Sequence, residues 1–349
     1  MTPMSVKNWP LMMGFKGVAP EDDGVRRLVE YLEEGFLAGV IFFSHNLVSP
    51  AQVKELTDVF RSVKTDFPPL LAIDQEGGRV QRLCEKNGFR SFTSARDIAE
   101  SCSPEGAADF YDEMARQTDA AGFNYVFGPV VDLHSNSCPV IGGLNRAYGV
   151  LPSTVVAYAK AFVEAHRKRG IITCLKHFPG HGFAVGDTHE GWVDVTSTYQ
   201  AQEQEPFKSL IESGYADSIM TAHIFHREWD ARYPVSLSDH IIPDQLRCNL
   251  AYQGLVVTDD LHMGAIGKHF DLDTILYQAI KAQNDLLIFS GNPLAAGNDA
   301  HFDSREKLPE YLPCYVEKLL CRGKLLPEDL LTAHKRLKAV FRGLANMDN

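Results

Sequence analysis

Residues 176–191 read KHFPGHGFAVGDTHEG, a stretch with three histidines, an aspartate and four glycines. Metal coordination, phosphate binding and proton transfer all draw on such residues. His177 and His181 stand four apart, a spacing that serves a metal on a helix. Pro179, Gly180 and Gly182 break any helix there, so the spacing loses that meaning. A zinc site completed by Asp187 and His189 stays open as an alternative. Phosphate binding lacks a GK[ST] sequence and a following helix. Proton transfer fits best. In an extended segment Asp187 and His189 point to the same side, so the carboxylate can fix the imidazole tautomer while the other ring nitrogen faces a substrate. Such an acid needs a nucleophile, and VVTDDLHMGA (256–265) ends an apolar run in Asp259-Asp260. One of this pair can face inward and attack an anomeric carbon, the other facing the wall. A helix cap plus a solvated acid is the plainer alternative.

These groups must be held by a frame. Apolar runs occur at 11–15, 38–44, 69–76, 124–133, 171–177, 217–224, 254–261 and 285–291, mostly rich in β-branched or aromatic residues. Buried parallel strands read this way. Helical patterns lie between them at 22–35, 51–64, 152–170 and 271–284, and the region after 300 is also helical in pattern. The alternation predicts one (β/α)8 TIM-like barrel over the chain, with a C-terminal helical extension from about 300 to 349 packed on it. No GxGxxG follows the first strand, which disfavours a dinucleotide-binding sheet. Barrel enzymes carry their chemistry where strands end. The polar residues there are Asp74, Glu76, Asp132, His134, Lys176, His177, His223, Asp259 and Asp260. Gly77-Gly78 would let backbone approach substrate, and Gly180, Gly182 and Gly186 would let the fifth loop move.

The 349 residues are 45% apolar and carry a net charge of −11. An acidic surface disfavours nucleic acid and anionic membranes as partners. No signal peptide and no membrane span is legible, so a cytoplasmic protein is expected. The seven scattered cysteines lack CxxC spacing and read as reduced, buried thiols. No cofactor and no metal is expected. The oligomeric state is not fixed by the sequence, a monomer being the simplest expectation.

KHFPGHG followed by D-x-H, together with IDQEGGRVQRL (73–83) and VVTDDLHMGA, closely resembles the single-domain bacterial β-N-acetylglucosaminidases of glycoside hydrolase family 3, which act in peptidoglycan recycling. The resemblance runs from about residue 9 to 290 and includes PVSLSDHIIPDQLR (234–247). It implies a retaining β-N-acetylhexosaminidase on a barrel, acting on N-acetylglucosamine-containing carbohydrate. By the same resemblance Asp259 is the nucleophile, His189 the acid–base and Asp187 the residue that orients it. Asp74 holds sugar hydroxyls, and Arg82, Arg146, Lys176 and His177 bind the sugar. Glu76 is read as structural, pairing an arginine. The D-x-H pair favours an N-acetylglucosaminidase over a β-glucosidase. Phe183 stands where the family commonly has a polar residue, often aspartate, so the fifth loop is expected to pack differently or to meet another aglycone. AQND (282–285) replaces the usual AGxD in a helix–strand turn. A phosphorylase on the same site, a metal-dependent barrel hydrolase and a glycan-binding protein without turnover remain alternatives.

Overall fold

Residues that alternate between two buried faces form the frame. A computed structural model describes residues 10–65, 67–187, 191–291 and 307–345. Eight parallel strands close into a barrel in sequential order. They are β1 (Leu11–Met13), β2 (Gly39–Phe42), β3 (Leu70–Ile73), β4 (Tyr125–Val126), β5 (Ile172–Phe178), β6 (Ser218–Thr221), β7 (Leu255–Asp260) and β8 (Leu286–Phe289). Closure falls to β1, where Met12 stands opposite Gly39 on one side and Ile288 on the other. Inward residues such as Met12, Ala72, Cys174, Val257 and Ile288 fill the interior. Outward residues such as Ile73, Leu175, Val256 and Leu287 pack under the helices. This period of two makes Asp74, Lys176 and Asp259 the next inward positions above Ala72, Cys174 and Val257.

The helices include α1 (Asp23–Glu34), α2 (Pro50–Arg61), α3 (Ala95–Ser101), α4 (Ala107–Ala120), α5 (Pro152–Arg167), α6 (Glu205–Glu212), α7 (Leu272–Lys281), α8 (Leu308–Cys321) and α9 (Pro327–Ala345). Their starts follow local chemistry. The Ser49 hydroxyl accepts from the Gln52 N–H at 3.3 Å ahead of α2, and the Asp271 carboxylate accepts from the Thr274 N–H at 2.8 Å ahead of α7. Gly35 ends α1 with φ 81°, a left-handed conformation that glycine adopts without strain. Leu308, Leu312 and Val316 of α8 join the cluster that contains Val25 and Leu28 of α1 and Leu276 of α7. Leu337 of α9 joins the interior cluster, and Arg336 donates to Asp285 at 2.9 Å. Arg247 reaches the same carboxylate at 2.6 Å, and the Val256 N–H donates to it at 2.8 Å.

The structure departs from the sequence reading in two places here. The fourth run was expected to be a strand over 124–133, but the regular strand covers only Tyr125–Val126, with scattered bonds such as Cys174 N–H to the Gly128 carbonyl oxygen at 2.8 Å beyond it. Pro129 has no N–H to give a ladder, and beyond it Val130 makes one parallel bridge to Lys176. The thiols are not uniformly buried. Cys138 and Cys174 are, whereas Cys248, Cys314 and Cys321 are exposed, and all seven are unbridged. Among the described residues no helix is long and apolar enough to cross a membrane.

Candidate active site

A cavity of about 1020 Å³, counted out to open solvent, lies at the C-terminal mouth of the barrel. Asp74, Arg82, Arg146, Lys176, His177, Asp187 and Asp259 all line it. Seven of the eight residues singled out from sequence therefore meet in one place. The eighth, His189, lies outside the described residues.

One wall is a network of buried ions. Arg82 donates to Asp74 at 2.8 Å, and Lys176 Nζ donates to the other Asp74 oxygen at 3.0 Å. Lys176 also meets Glu76 at 2.6 Å. Arg146 grips Glu76 with two bonds of 2.8 Å, from Nε and Nη2. Burial alone would raise the Asp74 carboxyl, but Lys176 and Arg82 outweigh it and hold the group well below the usual carboxylate range. Burial likewise opposes ionisation of Glu76, and Arg146 and Lys176 reverse it. Among these five side chains three cations face two carboxylates, so the wall carries one net positive charge. Glu76 has the structural role expected of it, and its arginine is Arg146, from a loop seventy positions away.

A second hub sits beneath the fifth loop. The Asp132 carboxylate accepts from His177 Nδ1 at 2.7 Å, from the His177 N–H at 3.1 Å and from the His181 N–H at 2.9 Å. Burial pushes the Asp132 carboxyl up, and His177 holds it down. An ionised Asp132 fixes the proton on Nδ1, which leaves His177 Nε2 as an acceptor 3.4 Å from Arg146 Nη2. Burial lowers the His181 imidazole to about 4. No group of three His, Cys, Asp or Glu side chains among the described residues could hold a metal ion.

Two of the fifth-loop glycines are closely packed against neighbouring chain. A Cβ on Gly182 would stand 1.9 Å from the Leu133 carbonyl oxygen, and one on Gly180 2.3 Å from the Glu203 Cβ. Both are places of close packing, and Gly180 also has φ 129°, a conformation that favours glycine. Gly77 and Gly78 also approach neighbouring protein closely, with φ 96° and 58°. A Cβ there would meet the Thr93 carbonyl oxygen at 2.2 Å and the Ser94 Cβ at 2.7 Å. Phe183 packs against the hydrophobic cluster beside the fifth loop.

Asp259 and Asp260 are told apart by their partners. Asp260 accepts from the Ser290 N–H at 2.9 Å, from the His262 N–H at 3.1 Å and from the Ser290 hydroxyl. Burial pushes its carboxyl up. Asp260 touches the cavity, yet its oxygens are held by the β8 side of the wall. Asp259 projects inward above Val257, as alternation predicts.

Glu203, which precedes α6, escaped sequence reading because nothing in QEQEPF distinguishes it from a surface acid. It is 1% exposed and accepts from the Gly182 N–H at 2.6 Å. Burial, aided by the charge on Asp132, raises its carboxyl from 4.5 to about 8. The folded protein therefore holds this proton between pH 4.5 and about 8, where the unfolded chain has lost it. Stability should fall as pH rises through that window, by about 1.4 kcal/mol per unit for this group. Glu203→Gln keeps an oxygen for Gly182 and removes the titration. Urea midpoints at pH 5 and pH 8 should show the variant gaining on the parent at the higher pH, and parallel pH profiles would contradict this.

Comparison with known proteins agrees with this architecture. Residues 16–309 match the glycosyl hydrolase family 3 N-terminal domain. A beta-hexosaminidase of Xylella fastidiosa (strain 9a5c) is 37% identical over 247 residues, covering 68% of this chain and 71% of that protein. One from Histophilus somni (strain 129Pt) is 33% identical over 275 residues, 76% of each. The solved glycoside hydrolase family 3 β-N-acetylglucosaminidase of Paenibacillus sp. str. FPU-7 superposes with a TM-score of 0.84 at 30% identity, over 96% of this chain. The present chain spans 61% of that longer one. A barrel mouth built this way, with a family match across most of the chain, identifies the protein as a glycoside hydrolase belonging to glycosyl hydrolase family 3.

Proposed function

We propose that this enzyme is a retaining exo-glycosidase that removes terminal β-linked N-acetylglucosamine, or a related N-acetylhexosamine, through a covalent glycosyl–Asp259 intermediate. The observation that carries the reading is the convergence of Asp259 from β7 and Asp187 from the loop after β5 on one cavity with a charged wall. Asp74, Arg82, Lys176 and Arg146 supply acceptors and donors suited to sugar hydroxyls. The relatives named beta-hexosaminidase and β-N-acetylglucosaminidase support the choice of sugar.

In the first step Asp259 attacks C1 while protonated His189, oriented by Asp187, gives its proton to the leaving oxygen. In the second, water attacks C1, neutral His189 takes the water proton, and the Asp259 ester bond breaks. An imidazole can serve both steps because its ordinary titration lies near neutrality. The leaving group we assign is the remainder of a peptidoglycan-derived fragment. Seven unbridged cysteines fit a cytoplasmic site of action.

The test compares an aryl β-N-acetylglucosaminide with the matching β-glucoside, with and without phosphate. Preferential hydrolysis of the first, with the β-anomer as the first-formed sugar by NMR, is expected. Inversion would remove the nucleophile assignment, and phosphate-dependent release of a sugar 1-phosphate would replace hydrolysis by phosphorolysis. His189→Ala should slow a natural disaccharide by about 10²–10⁴-fold. An activated aryl glycoside, whose leaving group needs little protonation, should lose far less. Equal losses would count against the acid role.

A further inference from the structure

The barrel mouth carries an aromatic cluster that the catalytic proposal does not use. Trp192 follows Gly191, whose N–H donates to the Asp187 carbonyl oxygen at 3.3 Å. It precedes the short strand Val193–Asp194, which pairs in parallel with Ile224–Phe225 beyond β6. The indole lies within 16° of parallel on the Phe225 ring. His269 meets it edge-on at 4.9 Å, and Phe270 stands 6.5 Å away. Both follow β7, the strand that carries Asp259. One side chain thus touches segments that follow β5, β6 and β7. Trp192 is nevertheless 38% exposed, while Phe225 beneath it is fully buried. A ring that served only to hold the loops together would gain more from being covered.

The direction of the reaction places this cluster. Displacement at C1 is in line, so the leaving oxygen departs on the side away from Asp259, outward past the loop that carries Asp187. Asp187 lines the cavity, Trp192 itself does not, and the Gly191–Asp187 backbone bond sets Trp192 just beyond that edge, where a group attached to the leaving oxygen would extend. A pyranose ring presents a face of C–H bonds, and a rigid indole can bury that face at small entropic cost. Trp192, Phe225 and Phe270 are uncharged and His269 is the one titratable ring beside them, which suits a neutral ring better than an ionic group.

We propose that Trp192, backed by Phe225, is the platform for a sugar ring on the leaving-group side of the scissile bond. This rests on the hydrolase reading above. The experiment compares a β-1,4-linked N-acetylglucosamine disaccharide with N-acetyl-β-glucosaminyl fluoride, whose leaving group is one atom and cannot reach the platform. Trp192→Ala should lower the ratio of disaccharide to fluoride kcat/KM by about ten-fold, mainly through KM. Trp192→Phe should restore most of it. With the fluoride as donor, free N-acetylglucosamine added as acceptor should give transfer product, and the variant should need about ten-fold more acceptor for the same yield. Equal losses on both substrates would overturn the platform in favour of a loop clasp, and so would an unchanged ratio. Failure of the parent enzyme to hydrolyse the fluoride would instead overturn the hydrolase reading itself, and the platform with it.

Discussion

Asp259→Ala is expected to abolish turnover, with a loss on the order of 10⁴-fold or more. No neighbour can take its place. Asp260 is engaged by Ser290 and His262, and Asp74 is engaged by Arg82 and Lys176. The vacated space also offers a positive test. Azide can enter it, attack C1 from below and expel an activated leaving group, giving an α-glycosyl azide. Recovery of that product from the variant, and not from the parent, would identify Asp259 as the group that bonds to C1. A β-configured azide, or a variant with near-parental rates, would end the assignment.

Glu76→Ala should be the most destabilising single change at the mouth. It strips Arg146 of a two-pronged partner and Lys176 of one of two carboxylates, and both cations are largely enclosed. Leaving buried cations uncompensated costs about 3–5 kcal/mol, which should appear as a lower urea midpoint. Activity should fall too, because Arg146 would no longer be held beside His177. The acid limb of stability gives a further check. Asp74 and Glu76 are both held below their ordinary values in the folded protein. Their contribution is therefore complete above the range in which unfolded carboxyls titrate, and it fades as pH drops below that. The variant should show a shallower loss in acid than the parent. Equal stability at neutral pH would mean that the network contributes little.

Much of the frame was legible because strands buried on both faces leave continuous apolar runs, and eight of them can be counted. The fourth was drawn too long because its apolar character outlasts its regular ladder, which gives way to isolated bonds around Pro129. The pattern of α4 was present in Ala107, Tyr111, Met114, Ala115 and Thr118, at helical spacing, but was not singled out. Asp74, Lys176 and Asp259 were readable because two-residue alternation carries an inward position up to the mouth. Asp132 stood among the strand-end candidates, but its role as a hub depends on backbone amides forty-five or more positions away. Glu203 had no local mark at all, since its protonation is set by neighbours that only folding supplies. Freedom and smallness look alike in a sequence: Gly77, Gly78 and Gly180 need both, having positive φ and no room for a Cβ, whereas Gly182 needs the second.

The contact between Arg336 and Asp285 ties the last described helix to the base of the barrel. Asp285 lies at the foot of β8, and Arg336 belongs to the helix that leaves the ribosome last among those described. A chain that stops short of that helix keeps a buried carboxylate with one cation fewer and leaves the place of Leu337 open to water. Removing α9 should therefore loosen the foot of the barrel, at the end opposite the cavity, and make local opening there easier.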